Sequence, residues 1–181
     1  MDKKNRRLAY SALFLALALV LPFLTGQIPT IGKALSPMHI PVMLCGFLCG
    51  PLWGAAVGAV APLLRSVLFG MPAMFPGAAA MAFELAVYGG MAGWLRQVLP
   101  KTKAAACAVL IIAMIAGRLA WGTVRLILAG LTGNSFTWGL FLAGAVIDAL
   151  PGIILQLILI PILVIAMEQA GLSLNRAQTE D

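Results

Sequence analysis

The sequence predicts an all-α membrane protein, a six-transmembrane-helix bundle with both termini on the cytoplasmic side. Three observations carry this. The 181-residue chain is 62% hydrophobic and only 10% charged, with a mean hydropathy of +1.02, far from a soluble domain's average. Several apolar runs reach the roughly 20 residues needed to cross a bilayer core. The basic residues Lys3, Lys4, Arg6, Arg7, Arg96, Lys101, Lys103 and Arg176 fall in tails or between runs, the placement that marks cytoplasmic segments.

The first span is read over residues 7–25. Basic residues precede its apolar stretch, as in a secretory leader, but no small-x-small site follows cleanly, so it is expected to stay as a helix. A loop rich in Gly and Pro covers 26–37. The second span, 39–49, is short and ends at Gly50-Pro51, a turn signal leading into the third, 52–69. Gly70-Met71-Pro72 opens an uncharged loop before the fourth span, 77–95. The basic stretch 96–103 precedes the fifth, 104–130, and the sixth covers 138–167. If the sixth is one helix, Pro151 and Pro161 kink it. The whole chain is read as one integral membrane domain. Four spans separate the two basic clusters, which places them on one side, and only Lys33 marks the other.

Composition and motifs exclude several functions. The high pI follows from topology rather than from a nucleic-acid surface. No G-x-x-x-x-G-K-[ST] loop occurs, so nucleotide binding of that type is excluded. Cys45 and Cys49 share a helical face, but no further ligands stand nearby and no metal or other cofactor is expected. His39 is the single histidine available to activate a serine nucleophile, so enzymatic chemistry is not expected.

What remains are ionisable groups inside spans. Arg65, Arg118, Arg125, Glu84 and Asp148 lie in otherwise apolar helix, where each costs about 2.5–3.5 kcal/mol on insertion scales and is expected to face a cavity or a partner. At about 1.5 Å per residue they converge on the outer half, with His39 near the outer surface. Arg118, Trp121 and Arg125 share one helical face; so do Glu84 and Tyr88; Asp148, Gly152 and Gln156 form a third stripe. Buried ion pairs would account for any one of these contacts. Three arginines against two carboxylates leave a positive excess, which an anionic ligand would relieve, and Arg suits a carboxylate or phosphate. Trp138 reads as an interfacial belt residue.

Several segments carry a resemblance: Leu35-Ser36-Pro37-Met38-His39-Ile40-Pro41-Val42, Gly50-Pro51-Leu52-Trp53-Gly54, Ala61-Pro62-Leu63-Leu64-Arg65, and Phe75-Pro76 leading into Met81-Ala82-Phe83-Glu84-Leu85. With six short spans and no nucleotide site, the chain resembles the substrate-binding S component of an energy-coupling factor (ECF) transporter over about residues 7–167. The resemblance implies high-affinity capture of a vitamin-like micronutrient from outside, in a bacterial or archaeal cytoplasmic membrane. It also implies an ATP-driven module of one transmembrane subunit and two ATPases. Small residues of the first helix, Ala9, Ala12 and Ala16, would contact the transmembrane partner. Met71 would belong to a lid. His39, Arg65, Glu84, Tyr88, Arg118, Trp121, Arg125, Asn134 and Asp148 would line the pocket. Pantothenate is the first expectation for the ligand, with pyridoxine-type compounds, a folate or a corrinoid open. The competing reading is a stand-alone ion-coupled transporter in which Glu84 or Asp148 carries a proton.

Overall fold

The helices follow the apolar runs, and their ends follow local chemistry. The computed structural model describes residues 2–25, 35–100, 102–133, 137–147 and 149–175. Helix α1 spans Lys3–Val20 and continues as a 3-10 stretch, Leu21–Thr25. Helix α2 is His39–Cys49 and α3 is Pro51–Phe69. A π-type turn, Met74–Ala78, leads into α4, Ala79–Val98. Helix α5 runs Lys103–Thr132. The short α6, Trp138–Leu142, and a π-type turn, Ala143–Ile147, precede α7, Leu150–Gln169. Among the described residues five helical stretches are long and apolar enough to cross a membrane, and α2 is a shorter apolar helix. Exposed apolar side chains such as Ile111, Ile115, Leu119 and Leu126 stripe the outside of α5, as lipid-facing residues should.

Caps set the boundaries. The Thr102 hydroxyl accepts from the Ala105 N–H at 3.1 Å and starts α5. Pro51 occupies the first turn of α3, where its missing N–H is not needed. Between α2 and α3, Gly50 has φ +104, a conformation that a side chain would strain. This lets α3 fold straight back along α2.

Glycine also decides how closely α2, α3 and α4 approach. A Cβ on Gly89 would sit 2.2 Å from the Gly54 carbonyl oxygen, one on Gly54 would sit 2.6 Å from the Gly46 Cα, and one on Gly58 would sit 2.2 Å from the Leu85 oxygen. The three backbones therefore touch, the packing that small residues permit in membranes, where no hydrophobic force draws helices together. Around this seam lies the core of Val42, Met43, Phe47, Leu48, Leu85, Tyr88, Val109 and Leu110.

The cytoplasmic end is tied by polar contacts. Arg96, 1% exposed, makes a two-pronged pair with Glu168 (Nη2–Oε2 2.6 Å, Nε–Oε1 2.9 Å). After α7 the chain folds back beneath the bundle. There Leu174 N–H donates to the Leu48 carbonyl at 2.8 Å, and Arg7 Nη2 donates to the Leu174 carbonyl at 2.7 Å. The Asn175 amide, 1% exposed, donates to the Gly93 carbonyl at 3.0 Å and the Gly46 carbonyl at 3.4 Å, and accepts from Gln97 at 2.7 Å.

Three expectations are corrected. Arg96 is not a loop residue: α4 continues to Val98, and the Glu168 carboxylate supplies the partner that lets the guanidinium be buried. His39 is not near the outer surface. Helix α2 has 11 residues, about 16 Å of rise, roughly half of a 30 Å hydrocarbon core, so its start lies deep and His39 is 3% exposed. The sixth span is not one helix over 138–167. It breaks ahead of Pro151, which takes a first-turn position in α7, while Pro161 sits inside α7.

Candidate functional site

Four residues from three helices meet at mid-depth. Glu84 lies five residues into α4, His39 opens α2, and Arg118 stands at the middle of the 30-residue α5. Glu84 Oε1 is 2.9 Å from Arg118 Nη1 and 3.5 Å from His39 Nε2. Tyr88 follows one turn after Glu84, and its ring lies 5.2 Å from the His39 ring, centre to centre. Gly117 makes room for Tyr88, since a Cβ there would sit 2.1 Å from the phenol ring. Glu84 and Tyr88 are each 1% exposed. The Arg118 side chain is 17% exposed.

The contacts are close but poorly aligned. His39 Nδ1 and Nε2, Glu84 Oε1, the Tyr88 hydroxyl and Arg118 Nε are buried without an aligned hydrogen-bond partner among the described residues. Buried polar atoms are usually satisfied, and each that is not costs about 1–3 kcal/mol. Both donors and acceptors are among them, so the cluster can grip a group that offers both.

The other expected residues divide. Trp121 and Arg125 lie one and two turns above Arg118, with the Arg125 guanidinium 5.8 Å from the Trp121 ring. Trp121 packs toward Phe141 at 6.2 Å, and Trp138, 72% exposed, stacks on Phe141 at 5.1 Å. Gly144 and Gly122 give these rings space. Together they form an aromatic wall on the side of the cluster toward the Thr132 end of α5. Arg65 belongs to another place. Its Nη1 donates to the Leu19 carbonyl at 2.6 Å, and its guanidinium lies 5.1 and 5.5 Å from the rings of Phe23 and Phe69, which fixes the outer end of α1 to α3. Met71 is half-buried in the turn after α3. Asn134 and Asp148, like Lys33 and Lys101, lie outside the described residues. Ala9, Ala12 and Ala16 are exposed along one face of α1.

One residue was not singled out as part of a site. Gln156 is 2% exposed, and its amide reaches the Ser36 carbonyl at 3.5 Å, the same carbonyl that accepts from the His39 N–H at 3.0 Å. It ties α7 to the start of α2 and so steadies His39. Its place on the stripe with Gly152 was the available signal.

The family model described as ECF transporter, substrate-specific component, matches residues 6–164, most of the chain. The chain belongs to that family. No curated protein and no solved structure matches it. As an S component the protein is a multi-pass membrane subunit of a transporter. It handles a small-molecule substrate and works with ECF transmembrane and ATPase subunits. Within that frame, a buried and unevenly satisfied polar cluster between helices is where a substrate contact is sought.

Proposed function

We propose that this S component captures its substrate from the outer side and holds it at His39, Glu84, Tyr88 and Arg118, for import driven by two ATPases in a bacterial or archaeal cytoplasmic membrane. The observation that carries the reading is the set of buried donors and acceptors at these four residues that lack an aligned hydrogen-bond partner among the described residues. The aromatic wall of Trp121, Phe141 and Trp138 lies on the outward approach, with Arg125 beside it. Asn134, Asp148 and Met71 complete the proposed lining, whereas Arg65 serves the α1–α3 junction. Pantothenate is the first ligand to try, because its carboxylate, hydroxyls and amide supply both acceptors and donors. The exposed Ala9-Ala12-Ala16 face of α1 is the proposed contact for the transmembrane subunit, since small residues allow close helix approach.

The test is a tryptophan-fluorescence titration of the purified protein against pantothenate, pyridoxine, folate and cobalamin, with Tyr88→Phe and Arg118→Met alongside. A saturable response that both substitutions weaken supports the reading; a response that neither alters removes the cluster from the site. Ala12→Trp should leave binding intact and stop uptake by the assembled transporter. Retained uptake would free that face of its proposed role.

A further inference from the structure

Just past α7 a short segment ties three other helices together. Helix α7 closes at Gly171, whose φ of +72 is left-handed. Gly171 N–H donates to the Glu168 carbonyl and Leu172 N–H to the Met167 carbonyl, both at 3.0 Å, the paired bonds of a Schellman ending. The Glu168 carboxylate, held on Arg96, fixes the root of the segment. From there residues 172–175 cross beneath α2. Leu174 joins Arg7 of α1 to Leu48 of α2, and Asn175 reaches Gly46 of α2 and both Gly93 and Gln97 of α4. Both chain neighbours of Cys49 lie under this crossing. The Leu48 carbonyl accepts from Leu174, and a Cβ on Gly50 would sit 3.2 Å from Asn175 Oδ1. Cys49 is 1% exposed although it is the last residue of α2.

We propose that residues 172–175 are a releasable strap. Seated, the strap fixes the first turn of α1 to the bundle and shuts the last turn of α2 from water. Swung out about Gly171, it frees Arg7 and opens Cys49 while the helices stay packed. This device is separate from the function proposed above and does not depend on it.

The bonding makes release inexpensive. The Gly46 carbonyl already accepts from the Gly50 N–H at 3.1 Å. Gly93 lies inside α4, where its carbonyl has a helical partner four residues on. Leu48 is in the last turn of α2, so its carbonyl meets water once uncovered. No carbonyl of the glycine seam is orphaned when the strap leaves. The seated strap also leaves polar atoms short, since Arg7 Nε and Ser173 Oγ are buried without an aligned hydrogen-bond partner among the described residues, and water supplies one on release. The joint has room to turn, because a Cβ on Gly171 would meet open space. One turn deeper the Ser11 hydroxyl lies 3.6 Å from Cys45 Sγ, and Cys45 is fully buried. That contact does not involve the strap, so the opening stops between Arg7 and Ser11, and Cys45 stays covered.

The test labels the full chain in phosphatidylcholine nanodiscs with a sulfonated maleimide, which reaches thiols from water, and reads Cys45 and Cys49 separately by peptide mass spectrometry. Asn175→Ala removes the bonds that seat the strap and should speed Cys49 labelling at least about tenfold. Gly171→Ala strains the left-handed joint of the seated strap without a clash and should speed it about fivefold or more. Cys45 should stay protected in both variants. If Cys45 gains reactivity together with Cys49, the segment is a brace lost only when α1 and α2 part, and the inference fails. It fails equally if Cys49 reacts at one rate in the parent and both variants. Acceleration by Asn175→Ala alone would remove Gly171 as the joint and overturn the strap as described.

Discussion

Replacing Gly89 by alanine tests the backbone contact between α3 and α4 with one carbon atom. The added Cβ would lie 2.2 Å from the Gly54 carbonyl oxygen, 2.4 Å from its carbon and 2.9 Å from its Cα. Ordinary contact begins near 3.4 Å, so α3 must retreat by about 1 Å, and because the obstacle is backbone no rotamer change relieves it. Overpacking of this kind costs about 1–3 kcal/mol. Alanine recovers up to about 1 kcal/mol through its better helix propensity. The net expectation is a loss of about 1–2 kcal/mol, or a drop of roughly 2–8 °C in melting temperature for a chain of this size. Gly90→Ala is the matched control. It has the same chemistry one residue along the same helix, with the Ala55 Cβ 3.5 Å away as its nearest obstacle, so it should melt at or slightly above the parent. Thermal unfolding in detergent, followed by tryptophan fluorescence and by size-exclusion recovery, reads both. Should Gly89→Ala melt as high as Gly90→Ala, the close backbone approach of α3 and α4 is not what holds the seam.

The Glu84–Arg118 contact should behave as a coupled pair. Glu84→Gln and Arg118→Met alone should each destabilise by about 3–5 kcal/mol, the loss seen when one partner of a buried pair is left, and the double variant by clearly less than their sum; additive melting shifts would show that the 2.9 Å contact carries no coupling. Asn175→Ala removes bonds to Gly46, Gly93 and Gln97 and should lower stability by about 1–3 kcal/mol. It should also make the segment after α7 more open to limited proteolysis, and an unchanged cleavage rate would refute the tie.

The spans were legible because hydrocarbon thickness imposes length and composition directly on the sequence. The Gly50-Pro51 reversal was legible because only certain residues tolerate that turn. Glu84, Tyr88 and Arg118 could be picked out because an ionisable or hydroxylated residue in a span is conspicuous, and helical spacing gave their faces. Their relation to Arg65 was not legible. Composition marks an arginine in a span but does not tell whether its partner is a carboxylate, a ligand, or, as here, the Leu19 carbonyl and two phenyl rings. Arg96 misled for the opposite reason. It stood beside lysines in sequence, and the carboxylate that buries it is 72 residues away. The depth of His39 required knowing that α2 is a half-length helix packed at its cytoplasmic end. The break before Pro151 could not be told from a kink, because both readings place a proline in an apolar run.

Leu174 and Asn175 are also among the last of the described residues to be synthesised. Helices α1 to α4 can enter the bilayer and pack through their glycines as soon as they leave the ribosome. The residues that join Arg7 to Leu48 and Gly46 to Gln97 emerge only after α7 has been made. Until then the first-made part of the protein stands without its cytoplasmic fastening. A chain that lacked Leu174 and Asn175 would keep every helix seam yet lose the contacts that tie Arg7 to Leu48 and Gly46 to Gln97.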